Sequence, residues 1–151
     1  MNIQELRKEA ESGNVVAQGI LGLCYLYGRQ VDVNYPEALR LLSIAKDNGA
    51  SRAVVNLARM HADGLGVPQD LTKAIRFYNA VEEVEVRAQL ELARIYARGF
   101  GVPPDPGRAL RLYSIIAKCE DGVEDSTTAA FLGALTFDEI EEAKRYVDNA
   151  T

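Results

Sequence analysis

Gly64-Leu65-Gly66-Val67-Pro68-Gln69-Asp70 returns 35 residues later as Gly99-Phe100-Gly101-Val102-Pro103-Pro104-Asp105. A glycine at the head of each segment can take a positive φ and end a helix. The valine can plug the gap between two helices, and the closing aspartate can cap the next helix through its free N–H groups. A looser copy, Gly28-Arg29-Gln30-Val31-Asp32-Val33-Asn34, precedes them, with one glycine lost and Asn34 in the capping position. Pro36 and Pro106 suit a first helical turn.

Outward from these connectors, whole columns recur in one register. Ala17, Ala53 and Ala88 share it, as do Leu21, Leu57 and Leu92, and Ala38, Ala74 and Ala109. After each connector the apolar residues fall at i, i+3, i+4 and i+7: Ala38, Leu41, Leu42, Ala45; Ala74, Phe77, Tyr78, Val81; Ala109, Leu112, Tyr113, Ile116. That is the stripe of an amphipathic helix. Before each connector a second helical stripe runs through Leu21, Cys24 and Tyr25, then Leu57, Met60 and His61, then Leu92, Ile95 and Tyr96. A single hairpin of helices cannot bury its stripe, so the pairs must stack. The expected fold is all-α, with about eight or nine helices in one repeat domain over 1–151. Residues 1–13 form an N-terminal capping helix, 14–49, 50–85 and 86–119 three repeats, and 125–151 a C-terminal capping helix pair. The last pair is read as helices near 127–135 and 137–149, with Thr136 and Glu139 in a capping box and Ile140, Ala143 and Val147 on the apolar face.

The joint pattern resembles the Sel-one-like repeat, a relative of the tetratricopeptide repeat. The second unit carries it at Ala53, Leu57, Ala58, Gly64, Gly66, Val67, Asp70, Lys73, Ala74 and Tyr78. The third carries it at Ala88, Leu92, Ala93, Tyr96, Gly99, Gly101, Val102, Asp105, Ala109 and Tyr113, and the first at Ala17, Leu21, Gly22, Tyr25, Gly28, Val31, Ala38 and Ala45. Two departures stand out. The terminal glycine present as Gly49 has no counterpart after Val81-Glu82-Glu83, and Arg108 replaces the connector lysine. The resemblance implies a right-handed superhelix and an adaptor role in protein–protein interaction. Cysteine-rich secreted relatives are linked to β-lactam binding or hydrolysis, but the disulfide within each of their repeats is absent here.

The 151 residues carry a net charge of -5, with 17 basic and 22 acidic side chains, which argues against a general nucleic-acid binder. The start, Met1 to Glu9, has no apolar signal core, and no apolar run suits a membrane span. A cytoplasmic chain follows as the expectation. Cys24 and Cys119 form no metal spacing, and Cys24 sits in an apolar pattern as a buried thiol. His61 occupies a packing column without a ligand partner. The connectors lack the lysine-plus-hydroxyl ending of a phosphate loop. Glu82, Glu83 and Glu85 read as a solvated run. No catalytic residue, metal or cofactor is expected.

The first helix of each pair lines the concave face in tetratricopeptide-like solenoids, which the resemblance carries to Arg52 and Arg59, and to Arg87 and Arg94. Each pair is seven apart, hence on one helix face, and the pairs repeat at a spacing of 35. The equivalent first-unit positions are Val16 and Leu23. A groove basic at one end and apolar at the other would take an acidic peptide or protein segment through carboxylate–guanidinium contacts. The expected function is an interaction scaffold or adaptor, with a protein or peptide partner and neither nucleic acid nor membrane. The alternatives are a dedicated inhibitor or immunity-type binder of one bacterial toxin or enzyme and, behind it, a hydrolase.

Overall fold

The structure is a computed structural model that describes residues 2–118 and 135–151. Among the described residues there are eight α-helices and no strand: α1 (Ile3–Glu11), α2 (Val15–Tyr27), α3 (Tyr35–Asp47), α4 (Ser51–Asp63), α5 (Leu71–Val81), α6 (Val86–Arg98), α7 (Pro106–Ala117) and α8 (Phe137–Ala150). None is long and apolar enough to cross a membrane. Cys119 and the helix expected near 127–135 lie outside the described residues, apart from Leu135, which is buried. The chain forms two compact units, Met1–Phe77 and Tyr78–Thr151, and the boundary falls inside α5.

In the first unit, local chemistry sets most of the helix boundaries. Asn2 and Glu5 form a capping box at α1, Asn14 caps α2 through the Ala17 amide, and Asn34 caps α3 through the Glu37 amide. Such a cap stabilises a helix by about 1 kcal/mol. The helices α2 and α4 end on the left-handed glycines Gly28 and Gly64. Gly66 is constrained twice: its φ is +69°, and a Cβ there would lie 2.3 Å from the Cβ of Tyr35. The connector's second glycine therefore lets the backbone close against α3. Val67 packs on the cluster of Leu23, Leu26, Ala38, Leu42, Ala45, Ala53, Leu57 and Met60, as its place in the connector suggested.

The second unit repeats the hairpin as α6 and α7. Asp105 caps α7 by accepting from the Arg108 amide. Its core holds Leu90, Leu92, Ala93, Ala109, Leu112, Tyr113 and Ile116, joined by Ile140 and Ala143 of α8. Both departures from the repeat pattern have structural reasons. The turn before α6 closes through the Glu85 and Val84 amides, which bond the Val81 carbonyl, and Gln89 donates to the Glu82 carbonyl, so no residue there takes a positive φ. The guanidinium of Arg108 lies 4.4 Å from the Tyr96 ring centroid and donates to Asn79 at 2.7 Å and Glu82 at 3.1 Å. A lysine has neither the flat face nor the forked donors for that set of contacts. The expectation of a solvated glutamate run is corrected at one position: Glu85, at the turn into α6, is buried.

Candidate functional site

The helix α4 runs Ser-Arg-Ala-Val-Val-Asn-Leu-Ala-Arg-Met-His, and α6 runs Val-Arg-Ala-Gln-Leu-Glu-Leu-Ala-Arg-Ile-Tyr. In each, the alanine and leucine columns are buried and the two arginines stand on the other side. Arg52 and Arg59 are exposed. The guanidinium of Arg59 lies 5.5 Å from the Tyr27 ring centroid, donates to the Tyr27 hydroxyl at 3.1 Å and meets Asp63 at 3.4 Å. Its side chain is still 55% exposed, as is most of its carboxylate partner. Such a pair contributes little to stability.

Arg87 and Arg94 of α6 are half-buried, and what covers them is the last helix. A carboxylate oxygen of Glu139 accepts from Arg87. Arg94 grips Glu142 with two donors, Nε to one oxygen at 3.1 Å and Nη2 to the other at 2.6 Å, and also meets Glu91 at 3.3 Å. The Tyr113 hydroxyl donates to Glu142 at 3.1 Å, and the Tyr113 ring packs on Tyr146 with centroids 4.4 Å apart. The helix α8 is positioned for this by its own start. Thr136 and Glu139 form the expected capping box, with the Thr136 amide donating to Glu139 at 2.8 Å. Below the carboxylates, Ile140 and Ala143 are buried in the seam, and α8 packs on α7.

The electrostatics follow from the contacts. The hydrogen bonds of Arg94 hold the Glu142 carboxyl below the ordinary range, against the opposing effect of burial. Burial works to raise Glu139, but bonds from Arg87 and the Thr136 amide, with the positive charge nearby, hold it low as well. Arg94 is pushed further up by its bond to Glu142. Burial, and then the Glu142 charge, raises the Tyr113 phenol. The hydrogen bonds and opposite charges favour the charged carboxylate–guanidinium state, and burial works against it.

The expected apolar end of the groove is placed differently. Val16 is exposed, at 69%. Leu23 is buried at 5% exposure, in the cluster with Leu42, Leu57 and Met60. It is part of the core, and not the open apolar anchor that its register suggested. The α2 sequence is apolar on nearly every side, so its period gave no direction. The two arginine pairs belong to different units, Arg52 and Arg59 to the first, Arg87 and Arg94 to the second. Sequence reasoning placed Glu139 only in the capping box and missed Glu142, and it read neither as a partner of the arginines. Their i, i+3 spacing on a terminal helix, opposite in charge to the arginine face, was the available signal.

His61 is a packed residue, 5.8 Å from Phe77 between ring centroids, and burial, then Lys73, lowers its pKa. The concavity beside it, lined by Pro68, Gln69, Asp70, Leu71, Thr72 and Lys73, opens on the start of α5, where Asp70 already accepts from the Lys73 amide. Cys24 is a buried free thiol, which burial pushes up. Among the described residues, no group of His, Cys, Asp and Glu is placed to hold a metal ion.

A family model described as Sel1 repeat matches residues 15–49, 51–80 and 86–121. Two Arabidopsis thaliana proteins, the ERAD-associated E3 ubiquitin-protein ligase components HRD3B and HRD3A, are similar over part of the chain. They are 32% identical over 81 residues and 35% identical over 72. The matches take in 54% and 48% of this chain but 13% and 11% of those relatives. Among solved structures, a Sel1 repeat protein from Oxalobacter formigenes is 32% identical, with a TM-score of 0.66 over 97% of both chains. A protective antigen of uropathogenic Escherichia coli with an SLR fold is 26% identical, with a TM-score of 0.72 over 99% of this chain and 33% of the antigen. The all-helical repeat architecture read from the columns is thus shared with solved proteins.

Proposed function

The chain belongs to the Sel1 repeat family, and we propose from that premise that it works as an interaction scaffold whose arginine-bearing helix faces take acidic protein segments. Sel1 repeats serve as protein–protein interaction scaffolds, and the similar plant proteins are, by name, components of a multi-part ligase. The finer reading concerns what is bound and by which atoms. One observation carries it: where another helix lies against the recurrent arginines, its carboxylates are what they hold, with Arg94 forking Glu142. Paired N–H donors on a planar cation match two carboxylate oxygens, which gives both strength and geometry. The exposed face of α4 offers Arg52 and Arg59 at the same spacing. The Tyr27 ring and hydroxyl contact the Arg59 guanidinium there and lower the entropy cost of engaging a ligand. The chain acts by holding its partner, and no step of bond making is required of it.

The test is a titration of the full chain with glutamate-rich, lysine-rich and uncharged peptides at low and high salt. The glutamate-rich peptide is expected to bind, more weakly as salt rises. R52A/R59A should weaken that binding roughly tenfold, as the loss of charge-assisted contacts implies. Equal binding of all three peptides, insensitive to salt, would end the reading.

A further inference from the structure

The seam between α8 and the α6–α7 hairpin has an odd composition for a permanent end cap. Its centre is apolar, with Ile140 and Ala143 buried. Its upper row is ionic: Arg87 with Glu139, and Arg94 with Glu142, with side chains 18–30% exposed. Bringing such charges out of water costs much of what their attraction returns, so an apolar row of the same size would hold a fixed cap as well or better. An ionic row has a different merit. Covered, each charge is paired; uncovered, each is hydrated. A face with such a row loses less on being uncovered than a wholly apolar face would.

The geometry also says what fits there. Along α8 the contacting residues read Glu139, Ile140, Glu142, Ala143 and Tyr146, that is, Glu-apolar-x-Glu-small-x-x-aromatic. The first glutamate meets Arg87, the second meets Arg94 and the Tyr113 hydroxyl, and Tyr146 lies on the Tyr113 ring. The spacing follows the helix surface, since residues three, four and seven apart share one face.

We propose that the α6–α7 face is a docking surface for an acidic amphipathic helix of another protein bearing this pattern, and that α8 is a resident copy of that ligand which the partner displaces. The proposal rests on the scaffold reading and adds a specific surface, a specific ligand pattern and a built-in competitor. Because α8 belongs to the same chain, it competes at a high effective concentration. A partner must therefore match the pattern more fully than α8 does, or arrive when α8 is loosened, so the resident helix sets the specificity of the face.

The probe is a labelled synthetic peptide covering residues 136–151, titrated into the full-length chain and into its E139Q/E142Q variant, both checked for retained helicity. The wild-type chain is expected to bind it weakly and E139Q/E142Q at least tenfold more tightly. The same peptide carrying E139K/E142K should bind neither. Backbone hydrogen exchange supplies the second reading: the amides of α8 should exchange faster than those of α6 and α7, and faster still in E139Q/E142Q. Equal peptide affinity for both chains would overturn the proposal, as would exchange of α8 in step with α6. So would dimers of E139Q/E142Q formed by exchange of α8, which would make the face a self-association site. If glutamate-rich peptides bind through Arg52 and Arg59 while α8 exchanges with the core, the scaffold reading stands and the displaceable helix falls. If no acidic peptide binds either chain, both fall.

Discussion

Two helices of this protein carry arginines in the same register and have opposite surroundings. On α4, Arg59 lies over Tyr27 with over half of its side chain in water. On α6, Arg94 is closed in by Glu142, Glu91 and Glu139. Beneath the arginines the helices are alike, with Ala53 and Leu57 matching Ala88 and Leu92, all buried. The difference comes from α8, a helix outside the repeat, which brings two glutamates to the second face. The repeat thus provides a basic face more than once, and the non-repeating end decides which copy stays open.

The largest effects should show where the two helices agree. Leu57→Ala and Leu92→Ala, at 2% and 0% exposure, should each cost about 3 kcal/mol, read by urea denaturation. Costs differing by more than about half of that would mean that the two hairpins are not equivalent beneath their arginines. Next comes a pair where they should differ. Glu142→Ala leaves a half-buried guanidinium short of its main partner and should cost about 2 kcal/mol. The α4 counterpart, Asp63→Ala, removes a solvent-facing contact at 3.4 Å and should cost less than about 0.5 kcal/mol. Equal costs would erase the contrast.

Acid sharpens the contrast further. In the folded chain Glu139 and Glu142 titrate below their ordinary value. The stability they supply is therefore fully present above the unfolded carboxylate pKa and is lost as pH falls through the lower folded values. Hydrogen exchange of α8 should report loosening below about pH 4. Glu37, lowered chiefly by its hydrogen bond from Arg40, sits in an exposed pair in the first unit. The same acid step should loosen that unit less. The smallest effect is Arg59→Ala, expected within about 0.5 kcal/mol of the parent in stability, with its consequence seen in the salt dependence of peptide binding. A large loss of stability would mean that the open face is structural.

Much of this was legible before any coordinates. The connector residues act locally: Asp70 and Asp105 cap the helices that follow them, and Gly64 and Gly99 end the helices before them in the left-handed conformation. Local chemistry of this kind reads directly from sequence, as did the Thr136–Glu139 box. Leu23 did not, because a helix as apolar as α2 has no polar face to say which side points outward. Glu139 and Glu142 did not either. An acidic side chain on an amphipathic helix reads as solvated until a partner of opposite charge is placed across from it. Arg108 was visible as a departure but not as a contact, since Tyr96, Asn79 and Glu82 come to it from α6, from α5 and from the turn between them.

By itself the sequence determined the number and register of the repeated hairpins, their caps and stops, and the recurrence of arginine on the first helix of two of them. These depend on interactions within about a turn of each residue or on a period of one helix pair. Tertiary structure alone decided that one arginine pair meets carboxylates of a helix far along the chain and that one expected anchor is buried. Pairing of side chains 48 and 52 residues apart depends on how helices stack, and no local pattern carries that information.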